Sequence, residues 1–216
     1  MKDLTELIFI LDRSGSMGGL ESDTIGGFNS MLAKQQKEEG ECRLTTVLFD
    51  NDYEILHDRI DIKAVGPITE QEYNVRGTTA LLDAIGRTIN KIAAVQRNTA
   101  EEYRADKVLF IITTDGMENA SREFDYGDIK ALIEKQKNEA EWEFIFLGAN
   151  IDAIEVANSF GITRDHAQSY HNDSEGISMK YGVLSRAVSN YRQSREKKLD
   201  NNWYKDLYED YIRRKK

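Results

Sequence analysis

Three stretches of the chain are apolar almost without interruption: ELIFIL (6–11), KVLFIIT (107–113) and EFIFLG (143–148). Unbroken hydrophobicity over six or seven residues predicts strands covered on both faces, as in a parallel sheet. CRLTTVLF (42–49) alternates more, and leads through DNDY into YEILHD (53–58). That pair predicts a hairpin with a tight turn near Asn51 and Asp52, and makes 53–58 an antiparallel edge strand. AQSYH (167–171) is a weaker strand. Helical periodicity fills the gaps. Ile25, Phe28, Leu32 and Gln35 mark 21–38, and Leu81, Leu82, Ile85, Ile89, Ile92 and Ala93 mark 79–97. Shorter patterns cover 126–139 and 150–159, and Met179, Val183, Leu184 and Val188 mark 174–195. Strand alternating with helix predicts an α/β protein, a mostly parallel sheet wound on both sides.

The pattern changes at the end of the chain. Residues 1–195 read as one domain, with one proline and no Ser/Gly linker, and 196–216 as an aromatic and basic tail. In that tail Trp203, Leu207 and Tyr211 recur every four residues, as do Tyr204, Tyr208 and Ile212. A final helix packed on its own domain is the expectation, with a partner-docking or self-pairing helix as the alternative. Its closing Arg213, Arg214, Lys215 and Lys216 suit a helix C-terminus.

Composition narrows the partners. Over 216 residues, 40% hydrophobic and 31% charged content fits a soluble globular protein. A net charge of −9 argues against nucleic acid as a partner. The lone Cys42 cannot form an internal disulfide. MKDLTELIFILD lacks the apolar core and cleavage site of a signal peptide, and no run approaches the roughly 20 residues of a membrane span. The expected place is the cytoplasm.

The candidate chemistry lies where the apolar strands stop. The first runs straight into Asp12, Ser14 and Ser16; another ends in Asp115, within FIITTDGMEN. In a doubly wound sheet the loops at the carboxyl ends of strands form the ligand site, at the point where strand order reverses. If these two strands are neighbours there, two carboxylates meet in one crevice. Their mutual repulsion and partial burial are costly unless something positive lies between them. RGTTALLDAIG adds Thr78 and Thr79 after Gly77, at the entrance to a helix. Hard oxygen donors with no thiolate or imidazole suit Mg²⁺ first and Mn²⁺ second. A partly neutralised ion with an open position would attract an external carboxylate.

Asp12-Arg13-Ser14-Gly15-Ser16 resembles the DxSxS motif of von Willebrand factor A domains. The threonine of RGTTALLDAIG and the Asp115-Gly116 pair resemble the other two parts of that family's metal-ion-dependent adhesion site (MIDAS). Each part alone is a weak pattern; three in order are specific, and the likeness covers about residues 4–195. It implies Asp12, Ser14, Ser16, Thr78 and Asp115 as the metal-site residues, Thr78 because it directly follows the glycine. It also implies a Rossmann-like, six-stranded sheet in the order 3-2-1-4-5-6 with one antiparallel edge. The family usually has two glycines before that threonine. Arg76 replaces the first, which could bring a guanidinium to the metal rim. The implied function is a non-enzymatic adaptor. It would bind the Asp or Glu carboxylate of a protein partner through the ion, with an AAA+ ATPase system as one possible setting.

Other readings of single residues are plainer. Asp83 lies in the first turn of its helix, where negative charge is favourable anyway. Glu118 and Asn119 read as a solvated loop, and Asp50, Asn51 and Asp52 as the hairpin turn, lacking the spacing of a calcium loop. His57, His166 and His171 fall on different segments. The rival function is a Mg²⁺-dependent, haloacid-dehalogenase-like phosphatase with Asp12 as nucleophile. That chemistry needs a second acid two positions on, where this chain has Ser14. Neither G-x-S-x-G nor a phosphate-binding P-loop is present.

Overall fold

The computed structural model describes residues 4–215. Its sheet has six strands: β1 (Leu4–Asp12), β2 (Glu41–Phe49), β3 (Tyr53–Asp61), β4 (Lys107–Thr114), β5 (Glu143–Gly148) and β6 (Ala167–Ser169). They lie in the order β3-β2-β1-β4-β5-β6, parallel throughout except for the β2–β3 hairpin at one edge. Six helices surround it: α1 (Glu21–Gln35), α2 (Leu81–Asn98), α3 (Tyr126–Ala140), α4 (Ala153–Ser159), α5 (Ser174–Gln193) and α6 (Lys205–Arg214).

Side chains alternate across a strand, so each apolar run feeds two cores. From β1, Leu7, Phe9 and Leu11 join Phe28 of α1 with Ile177, Leu184 and Val188 of α5. Ile8 and Ile10 face the other way, against Ile85 and Ile89 of α2, Ile129 and Ile133 of α3, and Ala157 of α4. Burial on both faces is the reason those runs do not alternate. Helices α1 and α5 approach closely: a Cβ on Gly27 would stand 2.2 Å from the Tyr181 ring.

The differences from the sequence reading lie at element ends. β3 runs on to Asp61, past the predicted 58. α4 begins at Ala153 because the Asp152 carboxylate caps the amides of Ile154 and Glu155. α2 begins at Leu81, and Thr79 and Ala80 stay in the preceding loop, where Asn119 Oδ1 accepts from the Thr79 amide. In the tail, Trp203 and Leu207 enter the α1/α5 core, and Trp203 Nε1 donates to the Asp165 carbonyl at 2.8 Å. Tyr208 and Ile212 stay exposed. No helix among the described residues is long and apolar enough to cross a membrane.

Candidate metal centre

β1 and β4 are hydrogen-bonded neighbours, with Leu11 opposite Thr113. The loops that follow them therefore leave the carboxyl edge of the sheet side by side. A third loop, between β3 and α2, is drawn onto the first: the Gly15 amide donates to the Gly77 carbonyl at 3.1 Å, and the Arg76 amide to the Arg13 carbonyl at 2.9 Å. The Tyr73 hydroxyl donates to the Asp12 carbonyl at 2.6 Å. The loop after β4 closes the set, its Asn119 and Ala120 amides donating to the Thr79 carbonyl. Gly77 has φ +69°, and a Cβ there would stand 2.1 Å from Asn51 Oδ1, so both backbone and space require glycine.

At this junction the two acids share one hydrogen-bonded cluster. Asp12 is 2% exposed and Asp115 1%. Ser16 Oγ donates to Asp115 Oδ1 at 2.5 Å and lies 3.1 Å from Ser14 Oγ. Asp12 Oδ1 accepts from the Ser14 amide at 2.7 Å, and its Oδ2 accepts from Thr114 Oγ1 at 2.6 Å. On the far side, Asn172 Nδ2 donates to Asp115 Oδ2 at 3.1 Å. Among the described residues neither carboxylate forms an ion pair with Arg, Lys or His.

Burial pushes both acids above the ordinary carboxylate range. For Asp12, hydrogen bonds from Ser14 and Thr114 oppose that rise while the charge of Asp115 adds to it. For Asp115, Ser16 and Asn172 oppose it, helped by the charge of Lys180. Lys180 is fully buried in α5, its ammonium 4.5 Å from the Tyr170 ring and 4.7 Å from that of Tyr181. Desolvation pulls it down to about 7, against the attraction of Asp115 and Asp12. The crevice is thus a place where negative charge is costly and one ammonium offsets it from a distance.

The sequence-predicted residues do not all converge. Asp12, Ser14, Ser16 and Asp115 meet directly. Thr78 is exposed, whereas Thr79 is buried. A Cβ on Gly116 would lie 3.3 Å from Ser16 Oγ and 3.6 Å from Thr79 Oγ1, which puts Thr79 beside the cluster. Its orientation follows from the backbone: Gly77 sets the turn and Asn119 grips the Thr79 amide. Arg76 points elsewhere than the rim of the cluster, its Nε donating to Asp50 Oδ2 at 2.9 Å. Glu118 and Asn119 lie in a loop, half-buried and exposed respectively, and their side chains also tie it down: Glu118 accepts from the amides of Leu82, Ala120 and Ser121, and Asn119 from that of Thr79. Asp83 is structural, accepting from the amides of Arg122, Glu123 and Phe124. The sequence reading missed Thr114, Asn172 and Lys180. Two of these carried a signal: Thr114 as the hydroxyl directly before Asp115, and Lys180 as a lysine on the same helical stripe as Ile177 and Leu184.

The donor set fits a hydrated divalent cation of hard character. It holds two carboxylates and three hydroxyls, and no group of three or more His, Cys, Asp or Glu side chains gathers among the described residues. Soft metals prefer thiolate or imidazole, whereas an all-oxygen set suits a hard divalent cation. A further observation agrees. Asn172 Oδ1, next to Asp115, is buried without a hydrogen-bond partner.

No family model matches the sequence, and no curated protein does. Solved structures do match in shape. The chain is similar to the von Willebrand factor type A protein of Catenulispora acidiphila, with 14% identity over 88% of this chain and 43% of that one, TM-score 0.58. It is similar to the manganese-loaded TRAP protein of Plasmodium vivax, with 18% identity over 82% of this chain and 71% of that one, TM-score 0.58. It is also similar to proximal thread matrix protein 1 of the mussel byssus with a zinc-occupied MIDAS motif, with 12% identity over 86% and 46%, TM-score 0.57. The chain spans less than half the length of the first and third of these. The fold is therefore that of a von Willebrand factor A domain: an α/β sheet of six strands with one antiparallel pair, flanked by helices.

Proposed function

We propose that this chain is a metal-dependent protein-binding module, not an enzyme, that takes a partner's Asp or Glu side chain at the carboxyl edge of its sheet. Mg²⁺ is the proposed working ion and Mn²⁺ its substitute. The carrying observation is the pair of buried acids, Asp12 and Asp115, hydrogen-bonded by hydroxyls of the loop after β1 and of the end of β4, with no basic side chain paired to either. Asp12, Ser14, Ser16, Thr79 and Asp115 would hold the ion, with Thr79 in place of Thr78. When bound there, a divalent ion would supply a Lewis-acidic position for an external carboxylate.

The chain's own residues prepare that position. Ser16 commits its only hydrogen to Asp115 and so accepts from Ser14, which leaves one lone pair free to face a cation. Asp12 has one oxygen held by the Ser14 amide and the other by Thr114, so its charge is fixed in place and its contact with a cation runs most easily through water. Below about pH 7, where Lys180 keeps its proton, its charge offsets part of the negative charge of the two acids. The same geometry speaks against Asp12 as a phosphatase nucleophile: it is 2% exposed and both its oxygens are engaged. We place the protein in the cytoplasm, where its one cysteine would stay reduced. Cys42 is buried in β2, with burial pushing its thiol up to about 12, so it acts as a packing group.

The test has two stages. Mg²⁺ at a hundred times its dissociation constant should stabilise the protein by about 2.7 kcal/mol over a chelator-treated sample. Asp115→Asn should remove that gain. Capture of an acidic partner from lysate should then depend on Mg²⁺ and fail for Asp115→Asn. Absence of any metal-dependent stabilisation would overturn the reading, as would phosphate-ester turnover abolished by Asp12→Asn.

A further inference from the structure

The loop between β6 and α5 reaches the acid pair from a fourth direction. There Asn172 Nδ2 donates to Asp115 Oδ2, the oxygen that Ser16 leaves free. Its other polar atom, Oδ1, is buried and has no hydrogen-bond partner. Buried side-chain oxygens in folded proteins are almost always satisfied, and leaving one bare costs about 1–3 kcal/mol. The amide cannot turn round to relieve this, because its carbonyl would then face a carboxylate. The bare oxygen therefore waits for a group bearing a hydrogen or a positive charge.

The loop is built to hold Asn172 still. On one side, the Tyr170 amide donates to the Gly148 carbonyl at 3.0 Å. His171 stacks on Tyr211 of α6 with ring centres 4.9 Å apart, its Nε2 lying 3.0 Å from the Tyr211 carbonyl. On the other side, Asp173 caps α5 through the Gly176 amide at 2.8 Å and pairs with Arg214 of α6. The turn is so tight that a Cβ on Gly176 would stand 2.0 Å from the His171 carbonyl oxygen. Asn172 is thus clamped between two residues that are each anchored to the last helix.

We propose that Asn172 is a positioning residue of the metal centre: its amide nitrogen fixes Asp115 and its carbonyl oxygen accepts a hydrogen bond from a water of the hydrated cation. This rests on the reading of the crevice as a cation site. It adds a fourth loop to the three that carry the sequence motif, and gives α6 a role in holding the site's geometry. Outer contacts that orient a metal ligand typically set metal affinity within a factor of 10–100.

The experiment uses the full chain with Mn²⁺ as probe, following free ion by electron paramagnetic resonance and melting temperature with and without chelator. Asn172→Leu should weaken Mn²⁺ binding about tenfold, leave the chelator-treated melting temperature near that of the parent, and shrink the Mn²⁺-induced rise. Asn172→Ala serves the same purpose should leucine prevent folding. The spectrum of bound Mn²⁺ at saturation should also change, which loss of mere packing would not cause. An unchanged affinity and spectrum, in a parent that binds Mn²⁺ and loses it with Asp115→Asn, overturns this inference and leaves the cation site standing. A parent that binds no Mn²⁺ overturns both.

Discussion

Asp50 and the pair Asp12 and Asp115 lie at the same edge of the same sheet and are equally buried, yet they are satisfied in opposite ways. Asp50 is 0% exposed, and its Oδ2 accepts from Arg13 Nε at 3.0 Å and Arg76 Nε at 2.9 Å. Its Oδ1 takes the Asp52 amide at 2.6 Å, closing the hairpin turn. Every charge there has its counter-charge within the chain. Asp12 and Asp115 receive only hydroxyl and amide hydrogens, with one ammonium acting from behind. Burial alone does not mark a functional acid. What marks it is burial without a paired cation.

The largest expected effect tests this contrast directly. Asp50→Asn leaves the Arg13 guanidinium, itself 1% exposed, with only the half-exposed Glu54 as its counter-charge. Removing one member of a buried ion pair costs about 3–5 kcal/mol, so urea denaturation should show a loss of that order. Asp115→Asn relieves like-charge repulsion and should cost the chelator-treated protein little. Equal losses for the two variants would show that both acids are structural.

Much of the fold was legible in the sequence, for a physical reason. Strands covered on both faces must be apolar at every position, so ELIFIL, KVLFIIT and EFIFLG stand out without any knowledge of their neighbours. The turn at Asn51 and Asp52 and the helix periods follow from local geometry in the same way. Ends were harder to place, because a cap such as Asp152 or a tertiary grip such as Asn119 on Thr79 decides them. In the site, the acids and serines announce themselves by position after a strand. The choice between Thr78 and Thr79 does not, since it depends on how Gly77 at φ +69° turns the chain. Asn172 was invisible in a loop without pattern, whereas Lys180 stands three residues after Ile177 and four before Leu184, a charge on the apolar stripe of its helix that the periodicity does expose.

Lys180 supplies the next test. Its folded-state value, pulled down to about 7, lies below that of the unfolded chain near 10.5. Between those values the unfolded chain holds the proton and the folded one does not, so stability rises with pH across the window. The slope approaches 1.4 kcal/mol per pH unit. In chelator-treated protein, Lys180→Met should abolish that rise between pH 7 and 10 while Asp50→Asn keeps it. A parallel pH profile for parent and Lys180→Met would show the ammonium to be solvated, and would remove it from the account of the acid pair.

The smallest effect sharpens the comparison within a single dipeptide. Thr79 is buried beside Gly116 and Ser16, while Thr78, its neighbour, points into solvent. A hydroxyl that donates an oxygen to the ion should matter and one that faces water should not. Thr79→Ala should therefore weaken Mn²⁺ binding by about tenfold, near 1.4 kcal/mol, and Thr78→Ala should leave it unchanged. Thr79→Ser, which keeps the oxygen, should restore most of the affinity. Were Thr78→Ala to carry the loss instead, the loop would have to turn on binding its ion. The register between Gly77 and α2 would then differ from the one that Asn119 now holds.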